Sequence, residues 1–106
     1  MAGAHIDQTP DASVARVHRH LPAEDVPALL KKRFQIINVW RPIRHEAYDR
    51  PLALCDYFSI KEADLAKTTL RYPDREGETY GVRRSSEHKW KYLKGMTPDE
   101  AVFIKW

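Results

Sequence analysis

The sequence of 106 residues lacks the features that define several common protein classes. Its single cysteine, Cys55, excludes an internal disulfide and a cysteine-rich zinc site. No apolar run reaches the length of about 18 residues that a membrane-spanning helix needs, so no membrane partner is expected. Residues 1–11 show neither the basic nor the apolar region of a secretory signal. Together with the lone cysteine, this favours a reducing, cytoplasmic location.

A large excess of charge of either sign is also lacking, because 18 Lys and Arg oppose 15 Asp and Glu. The net charge of +3 suits an anionic small ligand and falls short of a nucleic-acid-binding surface. Basic residues alternate with aromatic ones towards the C-terminal end, which a single-stranded nucleic-acid module would also show. We favour a solvated strand face and keep a small basic binding module as an alternative for Arg83, Arg84, Lys89, Lys91 and Lys94.

The hydrophobic pattern that is present changes its period near residue 33. Thr9-Pro10-Asp11 is a helix start, with Thr9 as N-cap and Pro10 as the first helical residue. Apolar residues at helical spacing follow, which predicts a helical pair within residues 8–33. From 34 to 106 the apolar runs are short, β-branched and aromatic, which predicts mostly antiparallel strands. We therefore predict an α+β fold in a single domain over residues 1–106.

Two local patterns within the strand-rich part give sharper expectations. Ser59-Ile60-Lys61-Glu62 has the spacing of a capping box and predicts one short helix. Residues 78–84 and 88–93 have the pattern of two strands joined across Ser85-Ser86. In the second of these strands, alternation would place His88 and Trp90 on one face.

The pattern that carries chemistry is the His-x-Asp pair formed by His5 and Asp7. Residues i and i+2 of an extended segment point to the same side, so both side chains can reach one small divalent cation. Two histidines and one carboxylate form the ligand set of non-haem iron oxygenases. With 5 His and 15 Asp or Glu in the chain, about one such spacing is expected by chance. An unstructured N-terminal tail is therefore the alternative on this pattern alone.

Five blocks of the sequence, in this order, resemble the fungal hydroxylase/desaturase family of iron- and 2-oxoglutarate-dependent oxygenases. That family includes gibberellin desaturase-like proteins and relatives of the cephamycin 7-alpha-methoxylase small subunit. The blocks are HIDQTP, HLPAEDVPALLKKRFQIINVWRPI, RPLALCDYFSI, RYPDREGETYGV and HKWKYLKGMTPDEAVFIK. The resemblance covers nearly the whole sequence. It implies a partial double-stranded β-helix, or jelly roll, with an N-terminal helical pair.

The same resemblance implies that His5 and Asp7 are the first two ligands of Fe(II), with 2-oxoglutarate as co-substrate. The implied substrate is a small molecule of secondary metabolism, and hydroxylation and desaturation are both open. In the family, the second metal histidine and the arginine for 2-oxoglutarate lie beyond the point that matches Trp106. We therefore expect a central fragment of a longer enzyme, without its third ligand and with turnover close to nil by itself. A non-catalytic partner subunit is the alternative that the cephamycin relatives suggest.

Four further side chains are candidates for a substrate or co-substrate pocket: Arg41, Tyr80, His88 and Trp90. The guanidinium of Arg41 could bind a carboxylate, and a surface ion pair with Glu46 or Asp49 is equally open. The histidine and tryptophan would form an aromatic pocket face, for which a cross-strand packing ladder is the alternative. Tyr80 is the weaker candidate.

Self-association is expected as well. Half a β-helix leaves sheet edges unpaired, and unpaired edges invite association. The runs FQIINVW and AVFIKW carry no charge until their ends, which favours aggregation if they are exposed.

Overall fold

A computed structural model describes residues 3–105, whose backbone divides into two compact units. The first unit contains the described residues up to Ile36 together with Leu65–Arg83. The second contains Ile37–Asp64 with Arg84–Lys105. No helix in this part of the chain combines the length and apolar character needed to cross a membrane. The single domain proposed for residues 1–106 stays a prediction.

The regular elements are two helices followed by short antiparallel strands. In chain order they are β1 (His5–Ile6), α1 (Pro10–His20), α2 (Val26–Leu30), β2 (Ile37–Trp40), β3 (Ala53–Cys55), two 3-10 turns (Tyr57–Ser59 and Glu62–Asp64), β4 (Leu65–Arg71), β5 (Glu76–Val82), β6 (Trp90–Tyr92) and β7 (Val102–Lys105). The strands pair as β1–β5, β4–β5, β2–β7 and β3–β6, all antiparallel. The predicted helical pair and the antiparallel character of the strands are confirmed.

Helix α1 begins at the residue that the sequence predicts. The side-chain oxygen of Thr9 accepts a hydrogen bond from the backbone N–H of Ala12 at 3.2 Å, and Pro10 is the first helical residue. The proline fits there because the first helical N–H has no partner inside the helix. Helix α1 packs against β5, and Thr9 is almost fully buried, with 1% of its surface exposed. The cap is thus part of the packed interior of the first unit.

The sheet of the first unit has the strand order β1-β5-β4. His5 pairs with Gly81 and Ile6 pairs with Tyr80, while Gly81 and Tyr80 also pair with Ala66 and Lys67 of β4. Directly paired side chains share a face, and neighbours along a strand alternate between faces. One face therefore carries His5, Gly81 and Ala66, and the other carries Ile6, Tyr80 and Lys67.

The short helix predicted from the Ser59 capping box is wrong, because two separate 3-10 turns replace it. The Ser59 hydroxyl donates to the carbonyl of Asp56 at 2.7 Å, so it closes the preceding turn. The next turn is capped by Asp64, whose Oδ2 accepts from the backbone N–H of Lys61 at 2.9 Å. Short polar side chains bonded to nearby backbone compete with helix formation in this way.

The two strands predicted within residues 78–84 and 88–93 are present as β5 and β6, but they do not pair with each other. Strand β5 pairs with β1 and with β4, which precedes it by a short turn, and β6 pairs with β3. The β4–β5 turn is closed by a hydrogen bond from the N–H of Tyr72 to the carbonyl of Arg75, at 2.8 Å. Closing such a short loop costs little chain entropy, which favours this pairing. His88 lies in the turn before β6, which begins only at Trp90.

Large apolar side chains of the second unit are exposed on its two-stranded ribbons. Val39 of β2 pairs with Phe103 of β7, and both are largely exposed. Met96 is buried in the same unit. Exposed apolar strands of this kind support the expectation of self-association, which stays a prediction.

Candidate metal centre

The structure brings His5 and Asp7 together. The ring of His5 projects from β1, and Asp7 lies in the bend that follows the strand. Nε2 of His5 lies 3.1 Å from Oδ1 of Asp7, with 39% and 38% of the two side chains exposed. Two ligand atoms about 2.1 Å from an ion and at right angles to each other would be about 3.0 Å apart. The observed separation therefore fits neighbouring ligands on one ion, and it is also an ordinary hydrogen-bond distance.

The contact of the other ring nitrogen of His5 determines whether Nε2 carries a hydrogen or a lone pair. Nδ1 lies 3.1 Å from the backbone carbonyl of Gly3, which can only accept, so Nδ1 carries the hydrogen. In the neutral ring Nε2 then holds a lone pair that faces the carboxylate of Asp7. Two lone pairs at this distance attract each other only when a proton or a metal cation lies between them. The donor set of the pair thus fits a divalent cation.

The surface beside His5 is free of large side chains from the neighbouring strands. Its partner in β5 is Gly81, and the partner of Gly81 in β4 is Ala66. A Cβ added at Gly81 would meet no atom closer than 3.7 Å. This face of the sheet therefore leaves room next to the imidazole.

A third protein ligand does not join the pair in the part of the chain that is described. Among residues 3–105, no group of three or more His, Cys, Asp and Glu side chains could hold a metal ion. The expectation that a third ligand lies elsewhere stays a prediction.

Two of the four pocket candidates, Tyr80 and Arg41, lie away from the His5–Asp7 pair or in the other unit. Tyr80 pairs with Ile6, so its side chain lies on the face of the sheet opposite to His5. Arg41 follows β2 in the second unit, where its Nη1 donates a hydrogen bond to the carbonyl of Pro98 at 3.1 Å. The structure thus does not place Tyr80 beside the metal-binding pair.

The remaining two candidates, His88 and Trp90, lie in the second unit with their rings edge to face, 6.5 Å between centroids. His88 also pairs with Asp64, a residue that no local sequence pattern singles out. Its Nε2 lies 2.9 Å from Oδ2 of Asp64, with 2% and 17% of the side chains exposed. The hydrogen bond from His88, aided by the N–H of Lys61, holds the pKa of the Asp64 carboxyl below its ordinary value. The pair is almost completely closed to solvent.

An apolar groove of about 840 Å³ also lies within the second unit. Its lining includes Trp40, Leu54, Phe58, Tyr92, Met96 and Val102. None of the four pocket candidates lines it, and Arg41 lines a separate recess of about 890 Å³. The size and apolar lining of the groove are typical of sites for small organic molecules.

Known proteins that are similar to this chain include oxidoreductases. The model of a family described as oxidoreductase/YMDC permease-like domain matches residues 1–106. The chain belongs to this family. As a member of the oxidoreductase/YMDC permease-like family it also resembles the hydroxylase/desaturase CTB9 of Cercospora beticola, with 40% identity over 95% of the chain. The resemblance to fungal hydroxylase/desaturases that the sequence blocks indicate is confirmed.

Iron-dependent oxygenases are among the similar proteins. The Fe(II)/2-oxoglutarate-dependent dioxygenase nvfI of Aspergillus novofumigatus is 36% identical over 95% of the chain. A solved structure of the iron and alpha-ketoglutarate-dependent endoperoxidase NvfI matches with a TM-score of 0.87 and 32% identity over 95% of the chain. The chain spans 34%, 37% and 38% of the lengths of CTB9, of nvfI and of the solved structure, respectively. The chain therefore matches only a part of the length of each of these proteins.

Proposed function

We propose that this chain provides two metal ligands of a non-haem Fe(II)- and 2-oxoglutarate-dependent hydroxylase or desaturase that acts on a small molecule. His5 and Asp7 are the proposed ligands. The observation that carries the proposal is the 3.1 Å approach of Nε2 to a carboxylate oxygen, with Nδ1 already bonded to a backbone carbonyl. Relatives named as Fe(II)/2-oxoglutarate-dependent oxygenases support the identity of the metal and of the co-substrate.

We also propose that the described strands form part of a double-stranded β-helix. The antiparallel pairing and the TM-score of 0.87 to an oxygenase structure support this architecture. In such an arrangement β1 and β5 would hold the metal-binding face as one rigid surface. Ligands carried on paired strands are positioned more accurately than ligands on free loops.

The residues of this chain would have distinct roles at the metal. When bound, Fe(II) with 2-oxoglutarate supplies the oxidising chemistry for C–H hydroxylation or desaturation. His5 would contribute the lone pair of Nε2, and its bond to Gly3 holds the ring in the matching tautomer. Asp7 would contribute a negative charge that offsets part of the charge of the ion. Neither acts as a general base, because ligation requires a neutral imidazole and an ionised carboxylate.

The test is the absorption band of an Fe(II)-2-oxoglutarate complex bound to the protein, recorded without oxygen. We expect the band with the wild-type chain and its loss in His5→Ala and Asp7→Ala, because each variant removes one of two protein ligands. His45→Ala is the matched control, since His45 is also exposed and its Nδ1 also lies near a backbone carbonyl, at 2.9 Å. A band of equal intensity in the wild type and in His5→Ala would show that the metal is not bound at this pair.

A further inference from the structure

The short length of β1 raises the question of what holds the two proposed ligands in position. The strand has only two residues, and Asp7 already lies outside the ladder. The hydrogen bond from the N–H of Val82 to the carbonyl of Ala4, at 3.0 Å, secures the chain before His5. Restraint on Asp7 and the residues that follow it must come from contacts other than the strand pairing.

One such contact comes from Thr79 of β5. Its hydroxyl donates a hydrogen bond to the carbonyl of Ile6 at 2.5 Å, and only 3% of Thr79 is exposed. Ile6 is the residue between the two proposed ligands. The bond therefore fixes the peptide group that joins Ile6 to Asp7.

A second contact reaches the end of the same segment from Glu78. The hydroxyl of Thr9 donates to Oε2 of Glu78 at 2.8 Å while it accepts from the N–H of Ala12. The other oxygen of Glu78, Oε1, lies 2.9 Å from Nζ of Lys67. Both carboxylate oxygens are thus engaged, and the hydrogen bond from Lys67, followed by that from Thr9, lowers the pKa of Glu78. Glu78 holds Thr9 as an ionised acceptor.

Glu78 and Thr79 are consecutive residues of β5, so their side chains leave the sheet on opposite faces. Thr79 binds Ile6, which lies between the two proposed ligands, and Glu78 binds Thr9, which lies after them. We propose that Glu78 and Thr79 form a two-sided clamp that positions His5 and Asp7 for metal binding. This inference rests on the proposed function. Both are positioning residues, since they act through Ile6 and Thr9 and the described residues hold no group of three potential ligands.

The clamp predicts a loss of metal affinity without any loss of a ligand. Groups that orient metal ligands typically change affinity by about 10- to 100-fold when they are removed. We therefore expect Glu78→Ala and Thr79→Val to weaken Mn(II) binding by about 10-fold or more. Glu78→Gln and Thr79→Ser keep an acceptor and a hydroxyl, respectively, and should restore affinity to within about threefold of the wild type.

Titration of each variant with Mn(II) alone, followed by the electron paramagnetic resonance signal of the free ion, measures this affinity. Glu76→Ala is the matched control, because Glu76 lies on the same face of the same strand and is paired with Arg71 instead of Thr9. The clamp is supported if Glu78→Ala and Thr79→Val bind weakly, the conservative variants recover and Glu76→Ala is unchanged. It is overturned if Glu78→Ala binds as the wild type does, or if Glu76→Ala loses as much affinity.

A second measurement separates failure of the clamp from failure of the proposed function. If the wild type binds no Mn(II), the proposed function fails, and the clamp is then judged from the NMR order parameter of the His5 ring. A lower order parameter in both Glu78→Ala and Thr79→Val than in Glu76→Ala supports the clamp. An unchanged order parameter overturns it. Circular dichroism spectra show which variants are folded. If Glu78→Ala is not folded, the comparison of Thr79→Val with Thr79→Ser tests the clamp.

Discussion

The chain contains two histidine–aspartate pairs with nearly the same contact distance and opposite surroundings. Nε2 of His5 lies 3.1 Å from Asp7, and Nε2 of His88 lies 2.9 Å from Asp64. The first pair comes from residues two positions apart, and more than a third of each side chain is exposed. The second joins residues 24 positions apart, and the histidine side chain is 2% exposed. Distance alone therefore does not distinguish a binding site from a structural contact.

Solvent access and the remaining contacts do distinguish the two pairs. At His5, Nδ1 is bonded to a backbone carbonyl, and Nε2 faces a carboxylate on an accessible surface. At Asp64, the same oxygen that contacts His88 also accepts a hydrogen bond from the backbone N–H of Lys61. An ion could reach the first pair without a change of fold, whereas the second pair is closed by the contacts that hold two segments together. We infer that His5 and Asp7 bind a metal ion, whereas His88 and Asp64 stabilise the folded second unit.

The largest expected effect follows from the same substitution made in both pairs. We expect His88→Ala to lower the melting temperature by roughly 4–8 °C or more, because it removes a buried ring together with the hydrogen bond from that ring to Asp64. His5→Ala removes an exposed ring and should change the melting temperature by less than about 2 °C. Thermal unfolding followed by circular dichroism measures both. Equal losses in the two variants would show that burial does not separate the pairs.

A smaller effect is expected on the acid side of the stability curve. The folded-state pKa of Asp64 lies below its ordinary value of 3.8, so the unfolded chain takes up this proton first as the pH falls. The stability contributed by the ionised carboxylate is complete above that value and is lost as the pH falls below it. Asp64→Asn should therefore show a shallower acid decline than the wild type in urea unfolding. The lowered pKa of Glu78 contributes equally to the acid decline of both proteins, so any difference between them reports Asp64. Parallel declines would contradict the lowered pKa of Asp64.

Features that depend on neighbouring residues were predictable from the sequence. Thr9 and Pro10 mark the start of α1 through local geometry, and His5 and Asp7 meet because extended residues at i and i+2 share a side. The contact of Asp64 with His88 and the pairing of β3 with β6 depend on chain segments far apart in sequence. No local spacing encodes such contacts, and the spacing at Ser59 resembles a helix start although the residue closes a 3-10 turn. Glu78 and Thr79 lie in the block RYPDREGETYGV, which resembles the family, but no sequence pattern predicts their contacts with Thr9 and Ile6.

The assignment of the metal to His5 and Asp7 is tested most directly by a Mn(II) titration of the wild type, His5→Ala and His88→Ala, performed well below the melting temperature of each. We expect the wild type and His88→Ala to bind with the same affinity, weaker than about 1 µM because only two protein ligands are described. His5→Ala should show no saturable binding. Binding by His5→Ala equal to that of the wild type, or its loss in folded His88→Ala, would contradict the assignment of the metal to the exposed pair.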